Sequence, residues 1–339
     1  VSDPAKPATV AVMGAGSWGT SFSLVLADAG NEVRLWARRT ELCAKINDAR
    51  ENADYLPGVE IPAAVTASHD HAAVLADADA VVFAVPAQTL RANLSTWAPL
   101  LPSKAILVSL MKGVELGTHE RMSEVIAEVA DVGPERIAVV TGPNLAREIA
   151  ERQPAASVVA STDADVAARL QKLCHTPAFR PYTNTDVVGC ELGGTVKNVI
   201  ALAVGMAVGL GFGDNAKASV ITRGLAETAR LGTAMGADPM TLAGLAGLGD
   251  LVATCTSPLS RNRTFGEKLG QGMTVDDIVH STRQVAEGVK SCQSIYELAA
   301  GHGVDMPIVE HVAEVVRGEL TPREMLVELV SRTAKPERA

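Results

Sequence analysis

Aromatic side chains are scarce in this chain of 339 residues: five Phe, three Tyr and three Trp make up 3% of it, against 47% hydrophobic residues in all. Its core is therefore aliphatic and alanine-rich, which favours helices and parallel strands over a sandwich. Basic residues are in deficit too. Thirty Lys and Arg stand against 39 Asp and Glu, a formal charge of −9. A nucleic-acid backbone needs a basic face, so that class of partner is excluded. Small anions are not excluded, because they respond to the local field of a cleft. The five cysteines, Cys43, Cys174, Cys190, Cys255 and Cys292, are far apart and form no CxxC pair. Neither a disulfide framework nor a zinc site is indicated, and reduced thiols of the cytoplasm are expected. The start, VSDPAKPATV, has no apolar segment of the signal-peptide kind. The longest apolar run, Val199 to Leu210, is interrupted by Gly205 and Gly209 and is too short to span a bilayer. A soluble cytoplasmic protein without stable membrane insertion is the expectation. His69-Asp70-His71 lacks further ligands at useful spacing, so it reads as a surface turn and no metal is expected.

The length suits two domains with ample core for each. Thr9 to Met13 reads as a buried strand leading into Gly14-Ala-Gly16-Ser17-Trp18-Gly19, then a helical stretch and a second strand at Glu32 to Trp36. This order is the context that a GxGxxG fingerprint requires. Gly14 permits the tight turn, Gly16 lets the backbone approach a pyrophosphate, and Gly19 lets helix and strand pack closely. Dinucleotide binding follows. Where an NAD-selective fold places an acid after the second strand, this chain has Arg38 and Arg39. Two guanidiniums suit a 2′-phosphate, so NADP is the preferred cofactor and NAD an alternative. Further strands are expected at Ala80 to Val85, Ala105 to Ser109, Ile137 to Thr141 and Ser157 to Ser161, in a parallel sheet. Lys112 and Gly142 fall at its carboxyl edge, where open α/β sheets bind ligands.

From about Thr185 the pattern becomes helical, with long helices at Glu191 to Gly211 and Asp214 to Gly236. The expected division is a Rossmann-type domain over residues 1–188 and an all-α domain over 189–339. Lys197 opens an apolar stretch there, and a partly desolvated lysine has its pKa lowered toward neutrality, where it can exchange protons. Gly247 to Gly266 is the most distinctive segment. Eight of the eleven residues from Thr254 to Thr264 carry side-chain donors, including Ser260, Arg261 and Asn262, in an otherwise acidic chain. Read as a polar loop, it suits a phosphate, which Arg holds by two parallel hydrogen bonds. Asp250, just upstream, is an acceptor for a ligand that also carries hydroxyls. Cys255 within this stretch reads as a packed thiol.

Taken together these segments resemble the bacterial NAD(P)-dependent glycerol-3-phosphate dehydrogenases. The resemblance rests on GAGSWGT at 14–20, MKG at 111–113, GPNLARE at 142–148, GTVKN at 194–198, GFGDNAKA at 211–218, GLGDLVATC at 247–255, SPLSRNRTFG at 257–266 and VAEGVKS at 285–291. It implies a helical domain of the 6-phosphogluconate dehydrogenase C-terminal type. It implies cofactor contacts at Ser17, Trp18, Arg38, Lys112, Ala146, Arg261, Val285 and Glu287. Substrate contacts are implied at Lys112, Gly142, Asn144, Lys197, Asp250, Ser260, Arg261 and Asn262, with Lys197 as the catalytic lysine, Asp250 orienting Lys197 or a substrate hydroxyl, and Lys112 adding a second positive charge. Asn144 departs from the family's usual Ser or Thr, and Met111 from its usual small residue. The implied reaction is reversible reduction of dihydroxyacetone phosphate to sn-glycerol 3-phosphate for phospholipid synthesis. The partner is thus a small phosphorylated three-carbon substrate, and a homodimer is left open. The rival readings are a dehydrogenase of hydroxy acids and a catalytically silent dinucleotide-binding regulator.

Overall fold

The computed structural model describes residues 7–281 and 286–332. Its strands, in chain order, are β1 Thr9–Met13, β2 Glu32–Trp36, β3 Glu51–Asn52, β4 Leu56–Glu60, β5 Val65–Ser68, β6 Ala80–Phe83, β7 Ile106–Ser109, β8 Ile137–Thr141, β9 Ala155–Ala160 and β10 Phe179–Asn184. Eight of them form one sheet in the order β10-β9-β8-β7-β6-β1-β2-β5, while β3 and β4 pair as a separate antiparallel hairpin. β6, β7 and β8 are buried throughout, as unbroken apolar runs require when helices cover both faces. Alternation along β1 shows the two faces directly. Val10 and Val12 pack with Phe22, Leu26 and Leu35 on one side, and Ala11 and Met13 with Leu90, Leu94 and Trp97 on the other. Strand order reverses at β1, which lies between β2 and β6, so a crevice opens at the carboxyl ends of β1 and β6.

The sheet is mixed, whereas the sequence suggested parallel order throughout. β9 runs antiparallel to β8, and β10 then runs parallel to β9. After β8 the chain turns at Gly142, forms the five-residue helix Ala146–Ala150 and goes straight back. No crossover over a face intervenes, so the next strand is reversed. β5 and β10, both at sheet edges, were not anticipated. β10 carries Pro181, which an edge strand tolerates.

The helical part is organised around one helix, Val187–Gly209, in which every residue from Gly189 to Ala207 is buried. By length and composition it could cross a membrane, yet 89% of its most apolar window lies inside the protein. Asp214–Ala234, Arg261–Gly270, Glu287–Gly301 and Pro307–Arg317 surround it. Its closest neighbour is Arg261–Gly270, and glycines on both helices explain the distance. A Cβ on Gly205 would stand 2.1 Å from the Arg263 carbonyl oxygen, and one on Gly266 2.1 Å from that of Leu202. Gly205 and Gly209, which interrupt the apolar run in sequence, are thus contact points. The donor-rich segment is no loop. It is a helix, Asp250–Thr256, a turn over 257–260 and the start of the Arg261–Gly270 helix.

Candidate active site

A cleft of about 670 Å³ lies between the two parts, lined on one wall by Gly16, Ser17, Trp18 and Gly19 and on the other by Lys197, Asn198 and Thr254. On the first wall the helix Ser17–Asp28 begins directly after Gly16 with no side chain capping it. Its first internal bond is made by the Thr20 N–H to the Gly16 carbonyl, so the preceding amides have no partner in the helix. The three glycines act differently. Gly14 has φ +134°, and a Cβ there would lie 2.5 Å from the Ala84 carbonyl oxygen. A Cβ on Gly19 would lie 2.0 Å from the Gly14 carbonyl oxygen, but one on Gly16 would meet nothing within 4 Å. The space over Gly16 is therefore cleft. Trp18 Nε1 is buried there and has no hydrogen-bond partner among the described residues. An open helix N-terminus and an unpaired buried donor fit an anionic dinucleotide. The Ser17 hydroxyl donates to the Tyr55 carbonyl at 2.9 Å, which ties the β3–β4 hairpin over this turn and leaves the Ser17 amide for a ligand.

Arg38 and Arg39 follow β2 as expected and are exposed, outside the residues lining the cleft. Arg39 is held by Asp54 at 2.6 Å, so its charge is already matched. Ala146 opens the short helix after β8, and its carbonyl accepts from the Ser21 hydroxyl at 2.8 Å. Glu287 begins the Glu287–Gly301 helix and lines the cleft. Burial pushes its carboxyl up, while Arg261 and Lys290 and a hydrogen bond from the Ala87 backbone oppose the shift. Val285 lies outside the described residues.

The second wall holds buried charge. Asp250 is 1% exposed and receives two ammonium groups, Lys197 Nζ on Oδ1 at 2.5 Å and Lys112 Nζ on Oδ2 at 2.6 Å. Lys197 also donates to Thr254 Oγ1 at 2.6 Å, and Lys112 to the Gly142 carbonyl at 3.1 Å. Lys197 stands near the middle of its helix, with buried residues on both sides of it, rather than opening an apolar stretch as the sequence suggested. Asp250 reaches it because the segment before it packs tightly on that helix: a Cβ on Gly193 would meet the Ala246 carbonyl oxygen at 2.5 Å. A π-helical turn, Leu245–Gly249, leads into Asp250, an irregularity found often at functional sites. Burial brings the Lys197 pKa down to about 8; Asp250 works against this fall and the Lys112 charge adds to it. Two cations on one carboxylate leave a net positive charge facing the cleft, with a lysine able to give up a proton near neutral pH.

Ser260 caps the Arg261–Gly270 helix by accepting from the Arg263 N–H at 3.2 Å. Asn262 is tied at both ends of its amide, donating to Asn198 Oδ1 and accepting from the Gly288 N–H, both at 2.9 Å. Arg261, exposed, lines the cleft beside them. Asn144 donates to the Ser157 hydroxyl at 3.0 Å, and its Oδ1 is buried without a partner among the described residues. The structure thus brings together Gly16 to Gly19, Lys112, Asn144, Lys197, Asp250, Ser260, Arg261 and Asn262 around one cleft. Sequence reasoning counted Thr254 only among the donors of the polar stretch and missed it as the partner of Lys197, and it gave Asn198 no place in the site. Thr254 was readable, since it lies four residues after Asp250 on one helix face. Cys255 is buried and its thiol is pushed up to about 12 by burial, as a packed thiol should be. Asp70 caps the helix His71–Leu75, which accounts for the HDH triplet as a helix start.

Two family models match the chain: the N-terminus of NAD-dependent glycerol-3-phosphate dehydrogenase over residues 9–167 and its C-terminus over 186–327. The glycerol-3-phosphate dehydrogenase [NAD(P)+] of Streptomyces coelicolor is 66% identical over 333 residues, covering 98% of this chain and 99% of that protein. Among solved structures, the glycerol-3-phosphate dehydrogenase of Coxiella burnetii superposes with a TM-score of 0.92 at 36% identity, covering 96% of this chain and 99% of that one. A D-mandelate dehydrogenase superposes with a TM-score of 0.63 at 15% identity, covering 94% and 99%; at that distance only the fold is shared.

Proposed function

The chain belongs to the NAD-dependent glycerol-3-phosphate dehydrogenase family, and from that premise we propose the roles of its parts in the reaction. The activity is NAD(P)-dependent, reversible reduction of dihydroxyacetone phosphate to sn-glycerol 3-phosphate, the backbone for phospholipid synthesis. We assign residues 1–188 to cofactor binding and residues 189–339 to substrate binding and catalysis, with Lys112 and Asn144 reaching the substrate from the first part. The observation that carries the reading is the Lys112–Asp250–Lys197 set facing the glycine turn across one cleft.

The nicotinamide, when bound, supplies or accepts the hydride at carbon 2 of the substrate. The open amides of the Ser17–Asp28 helix and Trp18 Nε1 bind the dinucleotide, with Gly16 leaving room for it. Arg38 receives the 2′-phosphate of NADP, which makes NADP the preferred form. In the reduction negative charge builds on the carbonyl oxygen, and the Lys197 ammonium donates its proton there. Asp250 and Thr254 hold Lys197 in place, and in the oxidation the neutral amine takes the proton back. Arg261, Lys112 and the Asn262 backbone N–H, which has no acceptor inside its helix, anchor the phosphate. The tied Asn262 amide keeps that helix end in register. The unpaired Asn144 Oδ1 accepts from a substrate hydroxyl. We place the enzyme in the cytoplasm without stable membrane insertion, in keeping with buried free thiols. Oxidation of NADPH followed by absorbance with dihydroxyacetone phosphate tests the whole reading, and turnover of 3-oxoacids at equal rates would replace it with the hydroxy-acid reading.

A further inference from the structure

Lys112 belongs to the Rossmann-type part, whereas the Lys197 and Asp250 that it must meet belong to the helical part. Lys112 sits just after β7, at the start of a segment that returns at Arg121 to begin the helix Met122–Ala130. The segment's two ends are bridged to each other at Val114 and Arg121; it is tied to the other part at its half-exposed tip by His119 and Glu297 at 2.8 Å, and in the interior by a carboxylate. Glu191, buried in the first turns of the Val187–Gly209 helix, accepts from the Ser123 N–H at 2.8 Å, the Ser123 hydroxyl at 2.6 Å and the Arg121 guanidinium at 2.7 Å. It thereby occupies an acceptor position at the open start of a helix in the other part, where a negative charge is favoured. Val114 completes the attachment by packing with Leu192 and Val196 of the same helix.

A buried carboxylate with three charge-assisted or strong hydrogen bonds is costly to break, because the group left behind is buried and unpaired. Lys197 lies six residues after Glu191, roughly 9 Å along the same helix. One rigid element therefore carries both the proton donor and the anchor of the Lys112 segment. We propose that Glu191, through Arg121 and Ser123, is a positioning residue for Lys112, setting the geometry in which Lys112 and Lys197 share Asp250. The inference rests on the reading of Lys112 as a substrate ligand.

Glu191→Gln keeps the shape but places an amide donor where the carboxylate faced Arg121. The KM for dihydroxyacetone phosphate should rise about tenfold, the order of loss expected for a small misplacement, while the KM for NADPH stays unchanged. A displaced Lys112 also removes a neighbouring positive charge from Lys197, so the Lys197 pKa rises. The alkaline limb of kcat/KM for the reduction should then move to higher pH by about half a unit or more. Ser123→Ala removes one of the three bonds and should move both readings the same way by less; it decides the matter if Glu191→Gln does not fold. Lowered Tm in these variants with KM and alkaline limb unchanged would make the cluster purely structural and overturn the proposal. Lys112→Met separates the two layers. If it raises the KM and Glu191→Gln does not, the clamp fails alone; if Lys112→Met leaves the KM unchanged, the substrate role of Lys112 fails and the clamp with it.

Discussion

On the glycine wall of the cleft, which we assign to the cofactor, the groups on offer are largely backbone: amides at a helix start, with glycines that either bring strand and helix together or leave room for a ligand. On the wall we assign to the substrate they are ionised side chains, the ammonium groups of buried Lys197 and half-buried Lys112 on a carboxylate that is 1% exposed. A dinucleotide is long and needs a shaped surface, which backbone provides at fixed geometry. A small carbonyl compound needs a proton and a field at one atom, which only titratable side chains provide. The first wall should therefore fail through added bulk and the second through lost charge.

The largest effect is expected at Lys197. Lys197→Met should lower kcat by roughly 100-fold or more, the scale of a lost acid–base group, with NADPH binding by fluorescence titration unaltered. Retention of half the activity would remove the substrate wall from the chemistry. In the native enzyme kcat/KM for the reduction should fall as pH rises through about 8, because the proton donor is then lost, and the oxidation should gain over the same range. A flat profile from pH 7 to 9 in both directions would contradict this assignment.

Next comes Arg261→Ala. A charge-assisted bond to phosphate contributes about 1.5–3 kcal/mol, so kcat/KM with dihydroxyacetone phosphate should drop about 10- to 150-fold. With unphosphorylated dihydroxyacetone the loss should be much smaller, and equal losses would move Arg261 to the cofactor or the fold.

The glycine wall gives a paired test. Gly14→Ala would push a methyl into the Ala84 carbonyl at a backbone conformation foreign to L residues, costing about 1–3 kcal/mol in a urea melt. Gly16→Ala should leave the melt unchanged, because its Cβ meets no protein atom, and should still weaken NADPH binding. Weakened binding in neither variant would show that the cofactor lies elsewhere. The smallest effect is expected at the exposed arginines. Arg38→Asp should cost NADPH use several-fold and spare NADH, whereas Arg39→Asp, whose native partner is Asp54, should change the preference less. The reverse ranking would assign the 2′-phosphate to Arg39.

Local regularities were readable in the chain. The strand, glycine turn, helix and strand at its start follow from β-branched runs and glycine spacing, and β1, β2 and β8 occupy the residues so indicated. Backbone preference is a local property, which a short window carries. The helix Arg261–Gly270 was not readable as one, because its polar composition hides a face whose packing surface is glycine. The reversal of β9 also escaped, since strand direction depends on where a connection goes and not on the strand itself.

The amino-acid sequence by itself determined the dinucleotide turn, the two-part division of the chain and the donor chemistry of residues 254–264, because each is written in residues close together. Only the tertiary structure decided which charges meet. Lys112, Lys197 and Asp250 are separated by up to 138 positions, and nothing local marks them as partners. Packing at the junction of the two parts brings them within hydrogen-bond reach, and the burial that comes with it lowers the Lys197 pKa enough for it to exchange a proton.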